Sequence, residues 1–325
     1  MNDQTMPRLR RSCLAVPGSS DKMIAKSQGL QVDQIFLDLE DSVAPIAKDD
    51  ARERVVEALL TGEWLAPTKV VRVNDVSTPW AYQDVVRVVE GAGAEIDCIM
   101  LPKVESAAQV AWLDILLTQI EKARGLQVGR IGIEAQIESA EGLVHVDEIA
   151  ANPRVETIVF GPADFMASIN MRSLVVGDQP PGYEADAYHY ILMRILMAAR
   201  AHKKQAIDGP YGRIQDVEGY TRAAQRSAAL GFDGKWVLHP AQIDAANETY
   251  AVSQADYDRA EQILQAYEYY TSAAGGGLGA VMLGDEMIDE ASRKMAVPIA
   301  LKGRAAGMSP TTTFTPPAAV AGARA

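Results

Sequence analysis

Residues 34–40 read QIFLDLE. The stretch runs Ile35, Phe36, Leu37 without a polar break and then gathers Asp38, Glu40 and the following Asp41 at its end. A strand with no solvent-facing alternation is buried on both faces, as in a parallel sheet. The same form recurs at residues 12–17 (SCLAVP), 69–74 (KVVRVN), 98–104 (CIMLPKV) and 132–139 (GIEAQIES). It recurs again at 156–162 (ETIVFGP), 205–211 (QAIDGPY) and 235–240 (KWVLHP). Between these runs lie amphipathic stretches. In residues 106–124, Val110, Leu113, Leu117 and Ile120 return at helical spacing, and 51–60, 188–202 and 216–230 also read as helices. Eight buried strands, most followed by a helix, predict a (β/α)₈ or TIM barrel, with a doubly wound open sheet as the competitor that strand counting leaves standing.

The polar residues fall at the strand ends. Arg72 and Asn74 close the third run, Lys103 and Glu105 the fourth, Glu138 the fifth, and Asp164, Asp208 and His239 follow the last three. In a barrel those ends converge on one face, where active sites of this fold are built. Polar groups collected at one end of apolar strands are costly unless solvated or used, which points to an enzyme.

Glu138 and Asp164 lie on adjacent strands and can approach within ligand range of one cation. Two carboxylates, with waters and a chelating substrate, suit Mg²⁺, or Mn²⁺ in its place, and no Cys or His cluster argues for zinc. The competing reading makes them helix caps, Asp164 for residues 165–169 for instance. Arg72, inside VVRVN, needs a partner. That partner is either a substrate carboxylate or enolate oxygen, or Asp38 or Glu40 across the strand ends. His239 is expected to order the loop after the eighth strand, and no histidine is assigned to catalysis.

The 325 residues carry a net charge of -12, which argues against nucleic-acid binding. The two cysteines, Cys13 and Cys98, are far apart in sequence, the first eleven residues hold no apolar leader, and no apolar run reaches membrane-spanning length. A cytoplasmic protein is expected. After the barrel (1–274) come a glycine hinge at 275–279 and a segment at 286–301, expected as a C-terminal lid (275–304). An Ala/Thr/Pro-rich tail (305–325) is expected to be disordered. A helix is expected at 255–271. Neither GGGLGA nor GFDGKW has the spacing of a nucleotide-binding loop.

Nine motifs in order then carry a resemblance. They are VPGS (16–19), LDLEDSVAP (37–45), VRVN (71–74), MLPKVES (100–106), QIESAEG (136–142), FGPADF (160–165), DGPYG (208–212), GKWVLHPAQ (234–242) and MIDEAS (287–292). The chain resembles the citrate lyase β-subunit-like, HpcH/HpaI aldolase superfamily, and within it the malyl-CoA/β-methylmalyl-CoA lyases. The resemblance implies a TIM barrel with Mg²⁺ on Glu138 and Asp164 and Arg72 against the reacting groups, and on that reading Glu40 and Asp41 hold metal-bound waters. It implies that Asp289 is carried over a neighbouring subunit's site, exchanging a proton with the enolate carbon, in a homotrimer or homohexamer. The implied substrate is a coenzyme A thioester, split to acetyl-CoA (or propionyl-CoA) and a glyoxylate-type 2-oxo acid. Some members carry an arginine for CoA phosphate just after the PGS turn, where this chain has Ser20. Arg11, Lys22 and Lys26 are candidates to replace it, with Pro17, Ser19 and Ala163 as further substrate or CoA contacts. The alternatives are a citramalyl-CoA lyase, a citrate lyase β-subunit, a malate synthase or malyl-CoA thioesterase, and a non-catalytic acyl-CoA-binding subunit.

Overall fold

The computed structural model describes residues 6–316. The chain divides into two compact units, one of Arg10–Tyr250 and one of the segments before and after it. The first unit runs β1 (Ser12–Pro17), α1 (Asp21–Gln28), β2 (Gln34–Asp38), α2 (Lys48–Thr61), β3 (Thr68–Arg72), α3 (Ala81–Ala92), β4 (Cys98–Leu101), α4 (Ala107–Arg124) and β5 (Gly132–Ile137). It continues with α5 (Ala140–Val144), α6 (Val146–Ala150), β6 (Val155–Phe160), α7 (Pro162–Ser168), α8 (His189–Ala201), β7 (Gln205–Asp208), α9 (Val217–Leu230), β8 (Gly234–Val237) and α10 (Ile243–Thr249). Each strand pairs in parallel with the next, and β8 pairs with β1, so the sheet closes as a (β/α)₈ barrel.

Side chains alternate across each strand. One set, Cys13, Phe36, Val70, Cys98, Met100, Val159, Ile207 and Trp236, forms its own cluster inside the ring. The other set, including Leu14, Ile35, Val71, Ile99, Ile133 and Ile158, packs with the apolar faces of the helices. Both faces of the strands are therefore dry, which is why their sequences show little alternation. β1 ends at Pro17 as expected, and the other seven strands stop two to three residues before the ends of their runs, because the polar residues there lie at or beyond the last ladder pair.

The floor of the barrel is polar. Arg10, only 2% exposed, donates through Nε to Gln34 Oε1 (2.9 Å) and Glu134 Oε1 (3.1 Å), and through Nη2 to Glu156 Oε2 (2.7 Å). Its Nη1 reaches Gln205. A buried guanidinium with this many acceptors is satisfied rather than stranded.

Asp208 differs from the expectation that it joins the active face. It accepts from Lys235 Nζ (2.6 Å) and Ser227 Oγ (2.8 Å) of α9, and Ser227 meets Tyr250 Oη at 2.7 Å. The ion pair lies between sheet and helices because the last residue of β7 presents its side chain outward.

The second unit pairs α11 (Gln254–Thr271) with α12 (Glu290–Ala305) over a core of Ala260, Ala296 and Ala300. Gly303 allows the close approach, since a Cβ there would stand 2.2 Å from Tyr257 Cδ2. Between the helices lies an antiparallel hairpin, β9 (Val281–Leu283) and β10 (Glu286–Ile288). The expected single segment at 286–301 is thus a strand, the cap residue Asp289 and a helix. The unit boundary falls at Tyr250/Ala251, so α11 groups with the C-terminal segment rather than with the barrel, where the 1–274 division had placed it. The expectation of disorder from 305 onward is corrected for the described part. Thr311 N–H donates to Asp258 Oδ1 (2.9 Å), and the Phe314 ring sits 5.8 Å from those of Tyr269 and Tyr270. Residues 317–325, also expected to be disordered, lie outside the described residues.

Candidate active site

Glu138 follows the last residue of β5 at the C-terminal face of the barrel. One carboxylate oxygen accepts from Lys103 N–H at 2.9 Å and the other from Gln136 Nε2 at 2.8 Å. The residue is 4% exposed. Gly161, N-terminal to α7, leaves room for it, since a Cβ there would lie 2.2 Å from Glu138 Oε1. Burial and the nearby Glu40 carboxylate push the Glu138 carboxyl up to about 8, with Arg72 and the Lys103 amide opposing and Asp164 adding to the rise. A buried carboxylate crowded by other carboxylates is an anion in need of a cation.

Asp164 lies in the first turn of α7 and partly exposed, but it is not the cap. Gly161 holds the N-cap position, without a side-chain hydrogen bond. The capping reading is therefore not the one the structure adopts. Glu138 and Asp164 line one cavity of about 340 Å³ together with Asp75, Lys103, Glu105 and Ser139. Among the described residues no three His, Cys, Asp or Glu side chains form a metal-ligating group. Two carboxylates opening on a solvent-accessible cavity suit a hard divalent cation that completes its shell with water and substrate oxygens.

Arg72 ends β3 and is 7% exposed. Its Nε and Nη2 fork onto Asp38 Oδ1 and Oδ2 at 2.7 Å each, and Nη1 lies 2.9 Å from Glu40 Oε2. The guanidinium also lies 5.2 Å from the Trp236 ring and 5.8 Å from Phe36. The pairing with Asp38 and Glu40 foreseen as one alternative is thus present. Burial penalises the Asp38 anion, yet the Arg72 fork holds its carboxyl below the ordinary carboxylate range. Glu40, also buried, is shifted upward by burial against the pull of Arg72 and Lys103.

Lys103 was missed as a site residue. Its Nζ reaches Glu40 Oε1 and lies 3.4 Å from Asp41 Oδ2. Asp41 itself is exposed, and its recorded ionic contact is with Lys103, so it does not share the burial of Glu40. Lys48 is a second omission. Its buried ammonium donates to the carbonyls of Leu39 and Glu40 at 2.9 Å each and to Asn74, fixing the two loops that carry them. A lysine whose stem and head are both buried leaves no periodic mark in a sequence.

Pro17 and Ser19 lie at the β1–α1 turn on the same face, where Gly18 N–H donates to Asp38 O at 2.8 Å. Ser20 caps α1, accepting from Met23 N–H at 3.3 Å. Lys22 and Lys26 are exposed on α1, and Ala163 is exposed beside Asp164. Arg11 is a correction. It precedes β1, at the opposite end of the barrel from Glu138, and its guanidinium is forked onto Asp33 at 2.8 Å twice. It is not on the face where a substrate of this site would lie. His239 orders its loop as expected, its Nδ1 accepting from Ala241 N–H at 3.2 Å. Asp289 belongs to the second unit and caps α12, accepting from Ala291 N–H (2.9 Å) and Ser292 N–H (3.0 Å). The Ser292 amide, with that of Ala291, holds its carboxyl below the ordinary range. Among the described residues no helix is long and apolar enough to cross a membrane.

Comparison with known proteins agrees with this geometry. The model of the HpcH/HpaI aldolase/citrate lyase family matches residues 11–240. An L-malyl-CoA/β-methylmalyl-CoA lyase of Cereibacter sphaeroides is 40% identical over 89% of this chain and 93% of its own. A citrate lyase subunit beta of Leuconostoc mesenteroides is 36% identical over 87% of this chain and 89% of its own. The CitE protein of Mycobacterium tuberculosis, solved with magnesium, acetoacetate and coenzyme A, superposes with a TM-score of 0.69 at 28% identity, covering 92% of this chain and 99% of that one. These matches, which cover most of the chain, establish that it belongs to the HpcH/HpaI aldolase/citrate lyase family.

Proposed function

We propose that this protein is a divalent-cation-dependent carbon–carbon lyase that cleaves L-malyl-CoA to glyoxylate and acetyl-CoA, and β-methylmalyl-CoA to glyoxylate and propionyl-CoA. The observation that carries the reading is Glu138, a buried carboxyl raised to about 8 on the same cavity as Asp164. The 40% identity to an enzyme of that name supports the substrate.

Mg²⁺, or Mn²⁺ in its place, would be held by Glu138 and Asp164 and would supply Lewis acidity toward the substrate's 2-hydroxyl. The remaining roles fall to this chain's own groups. Glu40 lies behind Glu138, its carboxylate held between Arg72 and Lys103. Arg72 has five N–H donors, of which Asp38 and Glu40 do not take all, and the rest can face an oxygen that gains charge as the C–C bond breaks. That interaction would be stronger in the transition state than in the ground state, which is what accelerates a reaction. Asp289, contributed by a neighbouring copy in a trimer or hexamer, would exchange a proton with the enolate carbon of the acyl-CoA. The α12 N–H groups that it caps keep its carboxylate ionised, the form that can accept a proton. Pro17, Ser19, Lys22, Lys26 and Ala163 are proposed along the path of the CoA moiety, in a cytoplasmic enzyme.

The test is to incubate purified protein with L-malyl-CoA and Mg²⁺, trapping glyoxylate with phenylhydrazine while following the acyl-CoA species. Equal glyoxylate and acetyl-CoA, lost with EDTA, is the expected result. Free CoA with malate would make it a thioesterase. The 36% identity to citrate lyase β-subunits favours a citryl or citramalyl thioester as the second reading. Release of pyruvate from citramalyl-CoA, with L-malyl-CoA untouched, would establish that alternative.

A further inference from the structure

We propose that Lys103 is the positioning residue of this site, its backbone aiming Glu138 and its ammonium restraining Glu40. The inference rests on the reading of Glu138 as a cation ligand. Lys103 has φ 49°, and it shares positive φ with only Asn170 and Lys203 among the described non-glycine residues. Lys203 follows the end of α8, where a left-handed residue commonly terminates a helix, and asparagine tolerates this region. Lys103 has neither excuse, since it follows a strand and precedes the loop into α4.

Such a conformation persists only where the surroundings over-determine it. Here they do. Pro102 before it is buried, and Val104 after it is fully buried and donates its N–H to Gln136 O at 3.0 Å. With both neighbours pinned, the Lys103 N–H points at Glu138 Oε2, 2.9 Å away. The same residue's ammonium reaches Glu40 Oε1, while the other Glu40 oxygen lies 2.9 Å from Arg72 Nη1. Glu40 is therefore held between two cations and away from the acidic cavity. In the cavity lining Asp75, Glu105, Glu138 and Asp164 are acids, and Lys103 is the cation. One residue thus does two separable jobs: the peptide N–H sets the ligand's direction, and the ammonium keeps a second carboxylate from competing for the same cation.

Substitution separates the two jobs. Lys103→Gly keeps the left-handed conformation and its N–H while removing the ammonium. Lys103→Val removes both, because a β-branched residue resists positive φ. Mg²⁺ binding to the full chain, read by titration calorimetry without substrate, is expected to weaken about tenfold or more in Lys103→Val, the scale of lost ligand support. In Lys103→Gly Mg²⁺ binding is kept or tightened, since Glu40 is released toward the cation, while kcat for L-malyl-CoA falls. If Lys103→Val does not fold by circular dichroism, Lys103→Thr, also β-branched but polar, replaces it and is expected to bind Mg²⁺ more weakly than the glycine variant. Equal Mg²⁺ affinity in the glycine and the bulkier variant overturns the backbone role, and unchanged kcat in Lys103→Gly overturns the ammonium role. Wild type and Glu138→Ala run beside them. If wild type fails to bind Mg²⁺, or Glu138→Ala binds it equally well, the reading of the cation site falls and the role of Lys103 with it, whereas a failure confined to the Lys103 variants overturns that role alone.

Discussion

Arg72 and Asp38 meet in a two-point fork, Nε to Oδ1 and Nη2 to Oδ2, at 2.7 Å on both prongs. A lysine has the charge but not the fork, and it cannot serve Asp38 and Glu40 while facing a substrate oxygen. Arg72→Lys is expected to fold and lower kcat by about 100-fold or more, the scale of a lost charge-stabilising donor. Arg72→Ala leaves Asp38 buried without its partner and should lose about 3–5 kcal/mol of stability. Steady-state kinetics and denaturant titration read the two effects. Wild-type kcat in Arg72→Lys would remove Arg72 from the chemistry.

The Glu138 carboxyl, raised to about 8 from an ordinary value of 4.5, makes the metal-free protein sensitive to pH. The native state binds this proton more tightly than the unfolded chain does. Its stabilising contribution is full below about 4.5 and is lost as pH rises through about 8, on the order of a few kcal/mol in all. Added Mg²⁺ must displace the proton, so its effect on Tm should grow between pH 6 and 9. Glu138→Gln should flatten the metal-free profile and abolish the Mg²⁺ response. Scanning calorimetry with and without EDTA checks both, and a Mg²⁺-induced rise in Tm that is independent of pH would contradict the assignment.

Gly161 is expected to tolerate no side chain. A methyl group there would stand 2.2 Å from Glu138 Oε1 and 2.5 Å from its Cγ, so the carboxylate must swing away. Gly161→Ala should therefore weaken Mg²⁺ binding about tenfold or more without changing the circular dichroism spectrum. Unaltered Mg²⁺ affinity would show that Glu138 has room the structure does not display.

Asp289 combines a helix cap with a proposed proton transfer, and the two can be parted. Asparagine caps as well as aspartate does but carries no exchangeable carboxyl proton. Asp289→Asn should keep the wild-type Tm and lose about 100-fold or more in kcat. Asp289→Ala should lose both. Full turnover in Asp289→Asn would make the residue structural alone.

The barrel was legible because its strands are dry on both sides, as in QIFLDLE, where three successive apolar residues admit no wet face. That Glu138 and Asp164 would open on one cavity was legible from strand adjacency. Where a side chain points was not. Asp208 ends its strand as Asp38 does, yet one turns toward α9 and the other into the ring, a difference of one residue in pleat. Arg11 was misplaced for a related reason: a basic residue before a strand looks available until Asp33 is seen filling its fork. Lys103 escaped because nothing in the letters PKV announces a left-handed lysine, and the three-residue strands of the C-terminal hairpin are too short to show a period.

The floor of the barrel sets an order of events. Arg10 takes its acceptors from residues 24, 124, 146 and 195 positions further along the chain. No early fragment can satisfy it, since the last acceptor arrives with β7. Contacts of such sequence separation form late and slowly. Until they form, a guanidinium waits at the mouth of an apolar tube, where a misregistered or incomplete ring would trap it without partners. Arg10 thus acts as a latch that waits for β2, β5, β6 and β7, so the floor is completed only when most of the ring is in place.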